Sequence, residues 1–324
     1  MRPDFAPALT CVALALYALP IFAAQPAYPT KSIRFIVAAS AGGASDINAR
    51  TLAPRLADQL GVSVVIDNRA GAGSMIGAEI VAKAPPDGYT LLMGSFEFAV
   101  NPSLHPRIPF DTFRDFAPIA QMLSSQYALT TRPNIPVVSV KQLIEFGKAR
   151  PGGLNFGTPN LGGAGHLAAE LLQGMTGMKV VSVHFKGGGP AVVGLMSGDV
   201  DFMFHSTATA AAQVKGGKLR AIAVTGARRF AVWPDVPTMV ESGLPGFVVT
   251  GWFGVLAPAG TPRDIIDKLN GEIVKAAQHP ASKERFDTLG MELAGGSPEE
   301  FSGFLRAEAE KWSRVIKSAG LRLE

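Results

Sequence analysis

Apolar and polar positions along the chain follow two periods, which predict strands and helices. Residues 33–38 and 62–66 are apolar with little alternation, as is typical of parallel strands covered on both faces. Between them, Leu52, Leu56 and Leu60 recur every four residues, the stripe of a helix with one buried face. The predicted elements are strand 32–38, helix 45–60, strand 62–67, helix 74–84 and strand 90–94. This βαβαβ order predicts a doubly wound sheet.

A second unit with the same alternation follows Pro133 and Pro136. Pro190, directly after three glycines, stands where a first helical residue is expected, and Thr261 precedes Pro262 as a predicted helix cap. A strand from Trp252 onward is expected to return to the first unit. The predicted elements are helix 139–149, strand 154–158, helix 164–175, strand 179–184, helix 190–197, strand 200–204, helix 207–216, strand 219–225, helix 262–277, a short helix near 281–289 and a last helix that begins with a capping box at 297–300.

The two units and the chain length predict two α/β domains around a ligand cleft, at about 100–200 residues per domain. Strands near 120–130 and 247–257 are expected to cross between them. We expect residues 28–126 and 249–324 to form the first domain and residues 127–248 the second. Such a pair of doubly wound domains can hinge and close on a ligand.

The N-terminus has the pattern of a secretory signal peptide over residues 1–24: Arg2, an apolar run over 8–22 and two alanines. The run is shorter than the ~20 residues of a spanning helix, so a membrane anchor is the weaker alternative. Cys11, the only cysteine, lies within this segment, so a cleaved chain has no thiol chemistry. We expect export to the periplasm.

The charge pattern argues against nucleic acid as a partner. The chain has 30 Lys and Arg against 26 Asp and Glu, a net charge of +4. These charges are scattered, with no basic block and few aromatic residues beside them.

Two glycine-rich turns between a strand and a helix carry the chemistry. We call residues 40–46 the first glycine loop and residues 158–166 the second glycine loop. A turn of this kind exposes unpaired N–H groups beside the positive end of a helix dipole, which favours a bound anion. Two such turns in two α/β units predict two domains that close on one carboxylate-bearing ligand.

The candidate residues have structural alternatives. Glycines 42 and 43 can simply serve a tight turn, Asp46 and Asn160 can cap helices, and His166 can be a buried hydrogen-bonding group. Residues 162–165, Gly-Gly-Ala-Gly, contain more glycine than a turn requires, which favours close approach of the backbone to a ligand. The predicted ligand-binding residues are Ser40, Ala41, Gly42, Gly43, Asp46, Ser95, Thr158, Asn160, Gly162, Gly163, Ala164, His166, Phe204 and Ser206.

Enzyme, metal and cofactor motifs are weak. The sequence has no Gly-x-Ser-x-Gly elbow, and His166 with Glu170 would need at least one more ligand for zinc. Residues 71–77 imitate a dinucleotide fingerprint, but the last spacing is one residue too long and they follow the second strand. We expect neither metal nor cofactor. A hydrolase or isomerase that uses Asp46 and His166 as acid and base is the alternative function.

Further motifs occur in order along the chain: Asp67-Asn-Arg-Ala-Gly-Ala-Gly73, Pro86-Asp-Gly-Tyr-Thr-Leu-Leu92, Pro234-Asp-Val-Pro-Thr238, Ala257-Pro-Ala-Gly-Thr-Pro262, and the segments 28–34, 42–46, 166–170 and 217–225. With these motifs the chain resembles the periplasmic solute receptors of tripartite tricarboxylate transporters, the Bordetella-type uptake proteins. The resemblance implies a Venus-flytrap receptor of the type II-like periplasmic-binding-protein fold, without enzymatic activity. It also implies that the two glycine loops hold a carboxylate, partly through waters, for a permease of one small and one large subunit. We expect a monomer.

The chain departs from these relatives at two places. Their first loop is usually proline-rich, whereas Ala39-Ser40-Ala41 stands here, so Ser40 can add a hydroxyl contact. Ser95-Phe96-Glu97-Phe98 stands where relatives are smaller and more polar. Two rings and a carboxylate there are expected to border the cleft and to disfavour a second negative charge, which predicts a monocarboxylate. A receptor that presents its ligand to a sensor kinase would share the same pocket.

Overall fold

The elements are described from a computed structural model, which covers residues 28–323; the predicted signal peptide and Cys11 lie outside the described residues. The strands are β1 (Ile33–Val37), β2 (Val64–Asn68), β3 (Thr90–Ser95), β4 (Phe116–Thr131), β5 (Leu154–Thr158), β6 (Val180–His184), β7 (Phe202–Ser206), β8 (Arg220–Val224), β9 (Thr250–Pro258) and β10 (Met291–Leu293). The helices are α1 (Ala44–Leu60), α2 (Met75–Ala82), α3 (Phe96–Leu104), α4 (Val140–Lys148), α5 (Ala164–Thr176), α6 (Gly188–Ser197), α7 (Thr207–Lys215), α8 (Arg263–Gln278), α9 (Pro280–Thr288) and α10 (Pro298–Ser318).

One curled sheet contains the ten strands of this described region, in the order β2-β1-β3-β9-β4-β7-β5-β6, with β8 and β10 also paired to β4. At one end β1 runs parallel to β2 and β3, and at the other end β5 runs parallel to β6 and β7. Each end is therefore a doubly wound α/β half, as the sequence predicts. The carboxyl ends of parallel strands are the edge at which ligands bind in such sheets.

The long strand β4 links the two halves. Its residues 116–126 pair with β9, whereas residues 127–131 pair with β7 and β8. Thr225 forms hydrogen bonds where β4 changes partners. Its hydroxyl donates to the Val249 carbonyl (2.5 Å) and accepts from the Tyr127 amide (3.0 Å). The partners change where the sequence predicts a crossing, while the domain boundaries themselves stay a prediction.

The predicted helix faces pack inward. Leu52 and Leu56 of α1 are fully buried, and Leu60 is nearly so. The capping box of α10 is present, because Ser297 and Glu300 exchange hydrogen bonds of 2.7 and 3.2 Å. The inner face of α10 is apolar: Phe301, Leu305, Trp312 and Ile316 are buried, and Phe304 is partly buried against Trp252. None of the helices within residues 28–323 has the length and apolar character that crossing a membrane requires.

Three local expectations were wrong. No helix is predicted after β3, yet α3 forms there and buries Phe96, Val100 and Leu104, which recur every four residues. Pro190 lies inside the first turn of α6 rather than at its first residue, since the helix begins at Gly188. Thr261 does not cap α8, because its hydroxyl donates to the Pro258 carbonyl (2.8 Å).

Candidate functional site

The two glycine loops fold into the same turn. The first glycine loop connects β1 to α1, and the second connects β5 to α5. Gly42 and Gly162 have φ of 79° and 71°, in the left-handed region that favours glycine. Gly43 and Gly163, at the helix N-caps, have extended backbones with φ of −74° and −71°. The loops are thus equivalent positions of two halves, 120 residues apart.

Each loop is held by a side chain four residues after its first glycine. The Gly42 amide donates to Asp46 Oδ2 (2.8 Å), and the Gly162 amide donates to His166 Nδ1 (3.1 Å). Both acceptors lie in the first turn of the following helix and are almost fully buried. The structure therefore places the polar atoms of Asp46 and His166 against the backbone of their own loops.

The start of each helix leaves a set of amides without acceptors. The first helical hydrogen bonds are Ile47 to Gly43 (2.9 Å) and Leu167 to Gly163 (3.0 Å). No acceptor lies within reach, anywhere in residues 28–323, for the amides of the preceding residues, which are Ala44, Ser45 and Asp46 in α1 and Ala164, Gly165 and His166 in α5. Amides at helix N-termini, beside the positive dipole end, bind anions.

Two adjoining cavities lie between these helix starts. The main cavity has a volume of about 680 Å³ and the side cavity about 200 Å³. Ala44 and Ser45 line the main cavity, whereas Ala164 and Gly165 line the side cavity. The residues that line both are Glu97, Tyr127, Pro159, Asn160 and Gly163. One small ligand can therefore reach both helix starts.

The lining of the cavities contains neither lysine nor arginine. Its titratable residues are Glu97, Tyr127 and three histidines, namely His105, His184 and His205. No group of three metal-ligating side chains occurs within the described residues. Apart from these histidines, the lining offers an anion only backbone amides and uncharged polar side chains.

The structure brings together eight of the fourteen predicted residues. In the main cavity these are Ser95, Asn160, Gly162 and Gly163, and in the side cavity Thr158, Asn160, Gly163, Ala164, Phe204 and Ser206. The remaining six, Ser40, Ala41, Gly42, Gly43, Asp46 and His166, shape the loops and lie outside both linings. The tip of the first glycine loop, including Ser40, is exposed. All fourteen remain predictions as ligand contacts.

Asp46 and His166, which accept from the glycine amides of their loops, differ in charge. Burial would raise the pKa of Asp46, but hydrogen bonds from Arg50, the Gly42 amide and Asn68 outweigh it and lower that pKa. Burial, with a smaller contribution from His184, lowers the pKa of His166 to about 4. At neutral pH, Asp46 is therefore an anion paired with Arg50 (2.9 Å), while His166 is a neutral acceptor.

Comparison with known proteins identifies the family. The sequence model of the family described as "Tripartite tricarboxylate transporter family receptor", TctC, matches residues 48–321 of this chain. This chain belongs to that family. Protein BugT of Bordetella pertussis is 39% identical over 299 residues, which covers 92% of each chain.

Solved structures of similar proteins have the same fold. "R. palustris Rpa4515 with adipate" is 34% identical, with a TM-score of 0.78 over 91% of this chain and 100% of its own. The periplasmic binding protein BugD is 33% identical, with a TM-score of 0.75 over 91% and 100%. MatC from Rhodopseudomonas palustris, with bound malate, is 30% identical, with a TM-score of 0.74 over 89% and 100%. This TctC-family chain therefore has the predicted two-domain periplasmic-binding-protein fold.

A third wall of the site in this TctC-family protein was not predicted from the sequence. Gly73 and Ser74 line the main cavity from the turn after β2, and Ala72 and Ser74 have left-handed φ of 46° and 76°. Asn101 of α3 donates to the Gly73 carbonyl (2.8 Å). The available signal was a glycine-rich turn at the end of a parallel strand, the same sheet edge as the two glycine loops.

The segment after β3 borders the cleft only in part. Phe96 and Glu97 line the main cavity, as predicted. Phe98 does not, because the chain is helical there and turns this ring into the core, where it packs edge to face on Phe116 with ring centroids 4.9 Å apart. The prediction that two rings border the cleft was wrong for the second ring.

The substitution Gly163→Val tests whether the second glycine loop must admit a ligand closely. A Cβ here would lie 3.1 Å from Asn160 Cβ, and the branched side chain would stand at the border of both cavities. We expect carboxylate affinity to fall more than about tenfold, or 1.4 kcal/mol, in calorimetry. The circular dichroism spectrum should stay native, because this φ does not require glycine.

The matched control is Gly152→Val, at a glycine with open space around it and an ordinary φ. It should bind the ligand normally. A Gly163→Val protein that melts much earlier yet binds normally once folded would assign the glycine to turn structure alone.

The two buried histidines predict a pH dependence of stability. Burial lowers the pKa of His166 and of His205 to about 4, against about 6.5 in the unfolded chain. Between these values the unfolded chain binds more protons, so their contribution to stability is complete above pH 6.5 and is lost as pH falls toward 4. Melting temperatures of the wild type should therefore fall more steeply over this range than those of His166→Gln/His205→Gln. Equal slopes would contradict the prediction.

Proposed function

We propose that this protein is an exported, periplasmic receptor that captures a small organic carboxylate between its two glycine loops and delivers it to a membrane permease. The observation that carries the proposal is the set of six amides without acceptors among residues 28–323 at the starts of α1 and α5, four of which belong to residues that line the joined cavities (Ala44, Ser45, Ala164 and Gly165). The adipate and malate of the structurally similar proteins are carboxylates, which supports this ligand class.

The energetics favour a site between the two loops over a site on one. Micromolar affinity requires about 8 kcal/mol, whereas one helix terminus supplies roughly 0.3–2 kcal/mol. Hydrogen bonds to a charged acceptor add about 1.5–3 kcal/mol each when they form away from water. Several amides must therefore contact the same carboxylate in a cleft that closure dries.

The acid–base alternative has less support. Asp46 and His166 would have to reach a common substrate, but each accepts a hydrogen bond from its own loop, and neither lines a cavity. The pKa of His166, about 4, also leaves it unprotonated at neutral pH. We therefore propose a receptor without turnover. The periplasmic binding protein BugD, to which the chain is similar, supports this reading.

The lining favours a single negative charge on the ligand. Glu97 is the one carboxylate among the lining residues, and Phe96 adds an apolar ring beside it. A second carboxylate at this end of the cleft would be repelled by Glu97, with no lysine or arginine of the lining to offset it. We propose a monocarboxylate with an apolar or aromatic body.

A ligand screen tests this proposal. A panel of mono-, di- and tricarboxylates is ranked by thermal shift, since any ligand that binds only the folded state raises its melting temperature. Calorimetry on the best compounds should rank a monocarboxylate first and citrate well below it, and chromatography should recover the bound compound unchanged. Conversion of the compound would indicate an enzyme, and citrate as the tightest ligand would contradict the charge argument.

Closure gives a second, independent test. Because β4 pairs with strands of both halves, ligand contacts from both glycine loops should favour a closed arrangement. Small-angle scattering should show a smaller radius of gyration with saturating ligand. The Gly163→Val protein at the same ligand concentration is the control. An unchanged radius, with binding confirmed by calorimetry, would count against capture between the domains.

A further inference from the structure

Glu97 occupies a position that the capture of an anion does not explain. It lies in the first turn of α3, is half-buried and lines both the main and the side cavity. Asn160 and Gly163 of the second glycine loop line the same two cavities. A ligand carboxylate at that loop therefore shares a small space with a protein carboxylate.

The contacts of Glu97 orient it without neutralising it. Ser95 Oγ donates to Glu97 Oε2 (2.6 Å), although a serine at this N-cap position ordinarily accepts from a helix amide. Through residues 28–323, no lysine, arginine or histidine forms an ion pair with Glu97. Burial and, to a lesser extent, the charge of Glu97 raise the pKa of the Tyr127 phenol. The negative charge of Glu97 thus acts on Tyr127, which lines the same two cavities.

A helix-stabilising role is the simplest alternative. An acidic residue in a first turn interacts favourably with the helix dipole, and this needs no ligand. That role does not require the Glu97 side chain to line two cavities. It also does not require the Ser95 hydroxyl to donate to the Glu97 carboxylate instead of accepting from a helix amide. A side chain that lines both cavities and is oriented by a neighbouring hydroxyl is expected of a carboxylate that binds a cationic group of the ligand. Such a cation would lie between Glu97 and the ligand carboxylate and would be attracted to both.

We propose that Glu97 binds a protonated nitrogen of the ligand, so that the preferred ligand is a carboxylate that also carries an amine, as amino acids do. The proposal rests on the proposed function and names its ligand class more closely. The glycine loops would hold the carboxylate, and Glu97, oriented by Ser95, would hold the ammonium group. Glu97 would then determine which carboxylates the receptor accepts.

Calorimetry with matched compounds tests this on the full mature chain. The probes are hexanoate, 2-aminohexanoate, 6-aminohexanoate and adipate, together with the aromatic pair 3-phenylpropanoate and phenylalanine. We expect at least one amine to bind about tenfold or more tighter than its amine-free partner and tighter than adipate. In Glu97→Gln, which keeps an acceptor for Ser95, that amine should lose about tenfold in affinity, or 1.4 kcal/mol. Its amine-free partner should bind as before or more tightly.

The control is Glu284→Gln, at an exposed glutamate of α9 outside both cavities, which should leave every affinity unchanged. Thermal melting of Glu97→Gln without ligand measures the helix-stabilising contribution separately. If amine-free carboxylates bind and Glu97→Gln does not change the preference between partners, this inference is overturned and the proposed function stands. Binding by none of the probes would overturn both.

Discussion

The hydrogen bond from a glycine amide to a side chain four residues later is the contact on which the rest of the site depends. It closes the turn at Gly42 and Gly162 directly before the helix turns whose amides have no acceptor in the described part of the chain. A buried amide without an acceptor is costly. Each loop satisfies one amide internally, while the first-turn amides of its helix have no acceptor within the described residues.

The two halves build this contact from different chemistry. Asp46 is an anion held by Arg50, whose Nη2 also donates to Asn68 (3.0 Å), while Asn68 donates to the Ala39 carbonyl (3.2 Å). At the equivalent place, His166 is neutral, and burial raises the pKa of its neighbour Glu170. The same turn is thus supported by an ion-pair network on one side and by a desolvated imidazole on the other, which makes the second side the more sensitive to acid.

Much of the fold and part of the site could be predicted from the sequence, because both are local properties. The leucine stripe of α1, the capping box of α10 and the strand–glycine–helix turns are all encoded within a few residues. The sequence could not show whether Asp46 and His166 contact a ligand or accept a hydrogen bond from their own loop. The difference depends on the direction in which a side chain in the first turn of a helix points. The contributions of Tyr127 and Leu323 to the main cavity depend on contacts far apart in sequence, for which one sequence has no periodic signal.

A crystal structure with the tightest carboxylate of the screen tests the central claim most directly. The account predicts one carboxylate group whose oxygens lie within about 3 Å, directly or through one water, of first-turn amides of both α1 and α5. A carboxylate that contacts the amides of one helix alone, or that binds outside the two cavities, would contradict it.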